Sequence, residues 1–404
     1  MSTERSRAMM ISALLFAALG CSAQDDPPAS GGIVVGLLLP FTGSESATAS
    51  NLERATLYAA DRINDGGGIG GTKVRVVSRD THSNVARGVE AAGELADAGA
   101  VAVIGPESAE IAEQIRPILA KKDVLFLSPL VGAAAEPSRQ CDTPWFRLAP
   151  SAKSIGEALA KQAKAEQVTR VAVLYTSSPY DRALGSAAAM RFASLLGEVA
   201  LELELDPQAQ SYAEVISEAI QAKVTDVILA ASPRAGAILV NEFDALSSKK
   251  PRWFLSPLLK TELLVQNVAP QALEGALGVA PKVYELGDEF PKAFSRRWLG
   301  DEPLEGAYFY FDAMSLLAMS LAKNATSSDA APDLGLAMLD AAGPPGEGVK
   351  WDALELGLER IARGKDMYYT GLTGPLSLES CGARSTGITS SWTVRQGAIV
   401  DLDE

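Results

Sequence analysis

The chain has 404 residues, 47 % of them apolar and 21 % charged, enough for two lobes with separate cores and too apolar for a disordered polymer. A net charge of −14 argues against nucleic acid, which requires basic patches, and against an electrostatic grip on anionic lipid headgroups.

The first element, residues 1–20, reads as a signal peptide. Arg5 and Arg7 precede an apolar run from Ala8 to Leu19 that is too short to span a bilayer as a stable helix. Its end, Ala18-Leu19-Gly20-Cys21, resembles the bacterial lipobox, in which the cysteine thiol is diacylated, although Ala18 and Leu19 stand in swapped order. Acylation of Cys21 is the expectation, with plain secretion and a free or paired Cys21 as the alternative. Residues 21–32 continue through "SAQDDPPASGG", a polar stretch with Pro and Gly that suits a flexible tether on a periplasmic membrane face. Ser22 after the cysteine favours the outer membrane in a Gram-negative cell. If Cys21 carries lipid, Cys141 and Cys381 remain as an even pair in an oxidising space, which predicts a disulfide; two unrelated thiols are the alternative.

From Ile33 the pattern predicts strand, helix and strand in turn. "IVVGLLLP" (Ile33 to Pro40) reads as a buried parallel strand, and Leu52, Ala55, Ala59 and Ile63 recur at helical spacing. "KVRVVSRD" (Lys73 to Asp80) alternates as a half-exposed strand. A helix over Val85 to Ala98, strand "VAVIGP", a helix near Ala109 to Lys121 and strand "VLFLSP" complete one block. A second block starts with a helix at Ser154 to Ala165. It continues through strand "VAVLYT", a helix around Arg182 to Leu196, strand "ALELEL", a helix at Ala213 to Ala222, strand "DVILAAS", a helix at Gly236 to Leu246 and strand "RWFLSP". Two such blocks predict an α/β protein of two mostly parallel sheets, each flanked by helices, with a cleft between them. Ligands of open α/β sheets sit beyond the carboxyl ends of the strands. Those ends are Gly105 to Ser108, Ser128 to Gly132, Thr176 to Tyr180, Ser232 to Arg234 and Ser256 to Leu258.

The run "DGGGIGGTK" (Asp65 to Lys73) satisfies the dinucleotide fingerprint G-x-G-x-x-G through Gly66, Gly68 and Gly71. A pyrophosphate site needs a strand before the glycines and a helix N-terminus after them. Here a helix ends at the glycines and points its carbonyls at them, which repels anions, so the run reads as a helix stop and turn. His82 is the single histidine and allows neither a histidine metal cluster nor a two-histidine relay. Ser320 and Lys323 fit S-x-x-K but lack its companion motifs, and Tyr308 to Phe311 read as core aromatics. No cofactor, metal site or catalytic constellation is expected, and an enzyme is the weakest class.

The order of elements and several local motifs resemble the leucine/isoleucine/valine-binding family of ABC-transporter substrate-binding proteins. The residues that carry the likeness are "VGLLLPFTGS", "AADRINDGGGIGGTKVRVVSRD", "VAVIGPESAE", "VLFLSPL", "WFRLAPS", "VAVLYTSSPYDR", "YFYFDAMSLLA" and "GLTGPLSLES", spread over residues 33 to 400. The resemblance implies a type I periplasmic-binding fold whose two lobes close on an amino acid about a three-stranded hinge. Lobe 1 is then expected over 33–149 plus 280–368 and lobe 2 over 150–279, with 369–404 crossing the hinge. It implies that Ser108 approaches a ligand carboxylate, that Tyr180 lines the cleft, and that Leu130 to Gly132 offer amides.

Gly132 replaces the usual threonine, and Leu258 falls where an acidic residue faces the ligand ammonium. A buried ammonium without a carboxylate partner costs several kcal/mol, so a zwitterion fits that pattern poorly. Arg234 stands where it could meet an anion from the second lobe instead, a solvated strand-end charge being the alternative. The expected function is capture of a small organic ligand, amino acid-like or carboxylate-bearing, for an ABC permease. A non-transport lipoprotein that keeps the fold for sensing or protein contacts is the competing class.

Overall fold

The computed structural model describes residues 31–43, 45–132, 144–283, 289–328, 333–384 and 387–402. Lobe 1 begins with β1 (Ile33–Leu39), α1 (Ala49–Asp65), β2 (Val74–Asp80), α2 (Val85–Asp97), β3 (Ala102–Ile104), α3 (Ala109–Lys121), β4 (Leu125–Leu127) and β5 (Arg147–Pro150). Lobe 2 follows with α4 (Ala152–Ala165), β6 (Arg170–Thr176), α5 (Pro179–Ser194), β7 (Glu198–Leu205), α6 (Ala213–Gln221), β8 (Asp226–Ala230), α7 (Pro233–Leu246), β9 (Arg252–Leu255), α8 (Glu262–Gln266) and β10 (Leu277–Pro281). The chain then returns to lobe 1 through α9 (Glu289–Arg297), α10 (Glu305–Thr326), α11 (Leu334–Ala341), β11 (Glu347–Lys350), α12 (Leu354–Ala362) and β12 (Met367–Thr370). It ends with β13 (Ala383–Arg384), β14 (Thr389–Arg395) and β15 (Ala398–Asp401).

Each lobe is built on one sheet with a core on both faces. The first sheet is parallel, in the order β2-β1-β3-β4. Side chains alternate across a strand, so Val35, Leu37 and Leu39 of β1 pack toward α1 and α10 while Leu38 packs toward α2 and α3. The second sheet has the order β15-β14-β10-β9-β8-β6-β7, parallel from β7 to β10. Strand β14 then runs antiparallel to β10, and β15 antiparallel to β14. The same alternation sends Ala172 and Leu174 of β6 to one core and Val171 and Val173 to the other. The chain passes between lobes after β5, after β10 and between β13 and β14, so the last two strands belong to the sheet of lobe 2.

A buried polar network braces the first and third passages. Both Asp312 carboxylate oxygens, on α10, accept hydrogen bonds at 2.8 Å from Tyr369 Oη, Leu372 N, Thr373 N and Thr373 Oγ1. Arg384 on β13 donates to the carbonyls of Leu148 (2.9 Å), Thr373 (2.6 Å) and Pro375 (2.9 Å) and to Thr373 Oγ1 (3.2 Å). Burial lowers the Arg384 guanidinium to about 10, with Asp312 opposing, so it stays charged at neutral pH. Arg384 thereby ties the strand leaving lobe 1 to the loop after β12.

Strand β13 also pairs with β5, and the Trp145 N–H donates to the Cys381 carbonyl at 3.3 Å. Cys381 is disulfide-bonded. Its predicted partner Cys141, like Cys21 and the whole leader, lies outside the described residues.

The glycine run closes α1. Gly66 N, Gly67 N and Gly68 N donate to the carbonyls of Arg62, Asn64 and Ile63, and Lys73 Nζ binds the Asn64 carbonyl. Gly68 has φ +82°, and a Cβ there would lie 2.2 Å from the Thr72 carbonyl oxygen, so only glycine fits. These amides are spent on helix carbonyls, at the edge where β2 begins, opposite the edge where the strands end.

Candidate functional site

The parallel registers align the strand ends. Leu39 pairs with Asp80, Leu37 with Ile104, and Ile104 with Leu127, so the loops after β1, β2, β3 and β4 gather on one edge of lobe 1. Thr176 pairs with Leu205, and Leu229 pairs with Leu174 and Leu255, which gathers the corresponding loops of lobe 2.

The two edges meet at Gly132 and Tyr180. Gly132 follows β4, and Tyr180 lies in the first turn of α5. A Cβ on Gly132 would come within 2.4 Å of Tyr180 Cε2 and 2.9 Å of the Pro150 carbonyl oxygen. The phenol fills the space that a threonine side chain would need. Burial first, and then the neighbouring Asp181 charge, push the Tyr180 hydroxyl above its ordinary value.

On lobe 1, β3 ends in Gly105-Pro106 and runs straight into Glu107 and Ser108. Gly105 has φ +94°, and a Cβ on it would sit 2.1 Å from the Leu38 carbonyl oxygen, which fixes the path of this loop. Ser108 caps α3, its Oγ accepting from Ile111 N at 3.4 Å, and its hydroxyl proton has no acceptor among the described residues. Glu107 is a functional candidate that the sequence reading passed over. Thr48 Oγ1 donates to its Oε2 at 3.3 Å, and no described lysine or arginine pairs with it. Burial pushes the Glu107 carboxyl up to about 7, against the Thr48 hydrogen bond and with help from the Glu45 charge.

On lobe 2, the first turn of α5 holds a second overlooked acid. Asp181 is buried, its Oδ2 takes the hydroxyls of Thr176 and Ser178, and its N–H returns a bond to Ser178 Oγ at 3.1 Å. Ser178 thereby caps the helix, which S-x-x-D at 178–181 signals in sequence, with Asp181 answering the Ser178 hydroxyl in return. Asp181 Oδ1 makes no hydrogen bond among the described residues. Burial raises its carboxyl while the two hydroxyls pull it down.

The other expected site residues fall as follows. Leu130 turns inward, and a Cβ on Gly306 would meet its Cδ1 at 3.0 Å, so its side chain packs on α10. Arg234 lies in the first turn of α7 and donates to the Pro207 carbonyl at 3.1 Å. Leu258 is half exposed in a single turn after β9. His82 lies on the strand-end edge, its Nδ1 2.7 Å from Thr42 Oγ1 and 3.4 Å from Asp80 Oδ2. Ser320 and Lys323 do not meet: Ser320 Oγ donates to the Leu316 carbonyl, and Lys323 pairs with Asp340 and Asp366. Phe309, Tyr310 and Phe311 are core, the buried Tyr310 hydroxyl making no hydrogen bond among the described residues. No group of three potential metal ligands occurs among the described residues.

A profile of the periplasmic binding protein family matches residues 32–343. The chain belongs to that family. A periplasmic binding protein is a solute-binding protein, and a periplasmic location goes with the family. A Leu/Ile/Val-binding protein of Rhizobium johnstonii is 33 % identical over 119 residues, which cover 30 % of this chain and 32 % of the relative. A Leu/Ile/Val-binding protein homologue of Brucella abortus is 22 % identical over 303 residues, 74 % of this chain and 80 % of the relative. The structure of an ABC-transporter solute-binding protein from R. palustris in complex with benzoate superposes with a TM-score of 0.62 at 17 % identity, covering 92 % of this chain and 96 % of that one. The type I fold expected from the sequence is therefore the fold of this periplasmic binding protein.

Proposed function

We propose that the chain is an extracytoplasmic solute-binding lipoprotein, not an enzyme, that captures a small organic ligand between two closing lobes for an ABC permease. The ligand is amino acid-like or carboxylate-bearing, a range that the names of the relatives support, with leucine, isoleucine and valine at one end and benzoate at the other. The observation that carries the reading is the meeting of two strand-end edges at Gly132 and Tyr180, each edge holding a carboxyl, the half-buried Glu107 or the buried Asp181, without an ion-pair partner among the described residues. Carboxyls whose surroundings shift them strongly, on the edges of a cleft, are candidates for a functional site. Ser108 supplies a hydroxyl, the backbone of Leu130 to Gly132 supplies amides, and Arg234 supplies a cation to the rim. Cys21 is the attachment point for lipid, and the tether to Gly32 carries the globule away from the membrane.

The Tyr180 contact also supports a second reading, in which the ring plugs the cleft and the fold serves as a sensor or protein-contact module. Native mass spectrometry of protein from its own host separates the two. A retained small molecule, lost when Tyr180 and Ser108 are replaced, is the expected result. A bare chain that instead retains a protein partner would favour the plugged cleft.

A further inference from the structure

Glu107 has no positive charge to answer it among the described residues. It leaves β3 through Gly105 and Pro106, on the edge where ligands of open α/β sheets bind. Its one hydrogen-bond donor among the described residues is the Thr48 hydroxyl, and the charge that acts on it, Glu45, has the same sign. Even the partial burial of Glu107 costs free energy that a protein ordinarily offsets with an arginine or lysine. A second group beside it is also unanswered. The Tyr310 hydroxyl, on a fully buried side chain of α10, makes no hydrogen bond among the described residues and would stand 3.4 Å from a Cβ on Gly105. The Glu107 charge is one of the causes that hold this phenol well above its ordinary value, behind burial.

We propose that Glu107, with the Tyr310 hydroxyl beside it, is the part of lobe 1 that recognises a protonated amine on the ligand. An ammonium brings a full positive charge and three N–H donors. It can bind the Glu107 carboxylate and the Tyr310 oxygen together. A ligand carboxylate in the same place would stand against Glu107 and Glu45. The position on lobe 2 where the resemblance calls for an acid holds the half-exposed Leu258.

This inference rests on capture between the lobes, and its test keeps the two apart. The mature protein is titrated with isoamylamine, L-leucine, isovalerate and benzoate, with thermal shift and calorimetry as readouts, on the parent, Glu107→Gln and Glu107→Asp. The expected result is binding of the amine-bearing probes with at least about tenfold loss in Glu107→Gln and partial recovery in Glu107→Asp. Among the described residues, the groups that face Glu107 and titrate or carry charge are Glu45 and Tyr310, and Tyr310 stays neutral throughout this range. Amine affinity therefore rises about tenfold from pH 6 to pH 8 as Glu107 ionises.

Binding of isovalerate or benzoate but of neither amine, or equal amine binding by Glu107→Gln, would overturn the amine site and leave capture between lobes standing. A shift from no probe at millimolar concentration also counts against the amine site. Capture itself is judged separately by the retained molecule in native mass spectrometry.

Discussion

The Tyr180 ring of lobe 2 packs so closely on Gly132 of lobe 1 that a single added carbon at 132 would overlap Cε2 at 2.4 Å. The ring can swing aside, but the Pro150 carbonyl 2.9 Å from the same point is hinge backbone and cannot. Gly132→Thr is therefore expected to disfavour the juxtaposed lobes by about 1–3 kcal/mol, the usual cost of overpacking. Small-angle scattering should show a larger radius of gyration for Gly132→Thr than for the parent. Tyr180→Ala on top of Gly132→Thr should recover part of the difference, and strict additivity of the two changes would mean that the ring and the glycine do not couple.

Glu107 makes a prediction about stability that needs no ligand. Its folded-state carboxyl lies near 7 against an ordinary 4.5, so the folded chain holds this proton more tightly than the unfolded chain. The favourable contribution is complete below about pH 4.5 and is lost as the pH rises through 7. Glu107→Gln keeps an acceptor for Thr48 and removes the charge. It should therefore stabilise the ligand-free protein by about 1–3 kcal/mol at pH 8 and by little at pH 4.5. Urea melts at the two pH values check this; a less stable Glu107→Gln at pH 8 would show that the carboxylate is answered by a cation after all.

The Asp312 and Arg384 network should be costly to break because both groups are buried and each satisfies several partners. Arg384→Ala leaves the carbonyls of Leu148, Thr373 and Pro375 without their donor and should cost about 3–5 kcal/mol in urea denaturation. Arg384→Lys cannot reproduce the planar fork and should recover less than half of that loss.

For the disulfide, peptide mapping of the non-reduced protein should find Cys381 linked to Cys141. Reduction should then lower the melting temperature, with a cost of about 2–5 kcal/mol as is usual for native disulfides. A Cys381 peptide linked elsewhere would leave Cys141 as an unrelated thiol.

Much of the fold was legible because it is written in short-range patterns. "VAVLYT" alternates between two cores, so it reads as a strand flanked on both faces, and it is β6. The helix stop at "DGGGIGGTK" depends on glycines within a few residues of Ile63 and was legible for the same reason. The site was legible only as a set of strand ends. Ser108 and Tyr180 lie on those edges, and Leu130 does too, but with its side chain turned inward onto α10.

The sequence by itself determined the alternation of strands and helices, the two-lobed class and which residues stand at the strand ends, since hydrophobic period, turn residues and caps act over a few residues. Tertiary structure alone decided that Tyr180 lies on Gly132, that Arg384 braces the hinge, and that Glu107 is half-buried near Tyr310. Each of those facts joins residues that are tens to hundreds of positions apart in the chain. Burial and partner choice there depend on how the sheets and α10 pack, which no local pattern encodes.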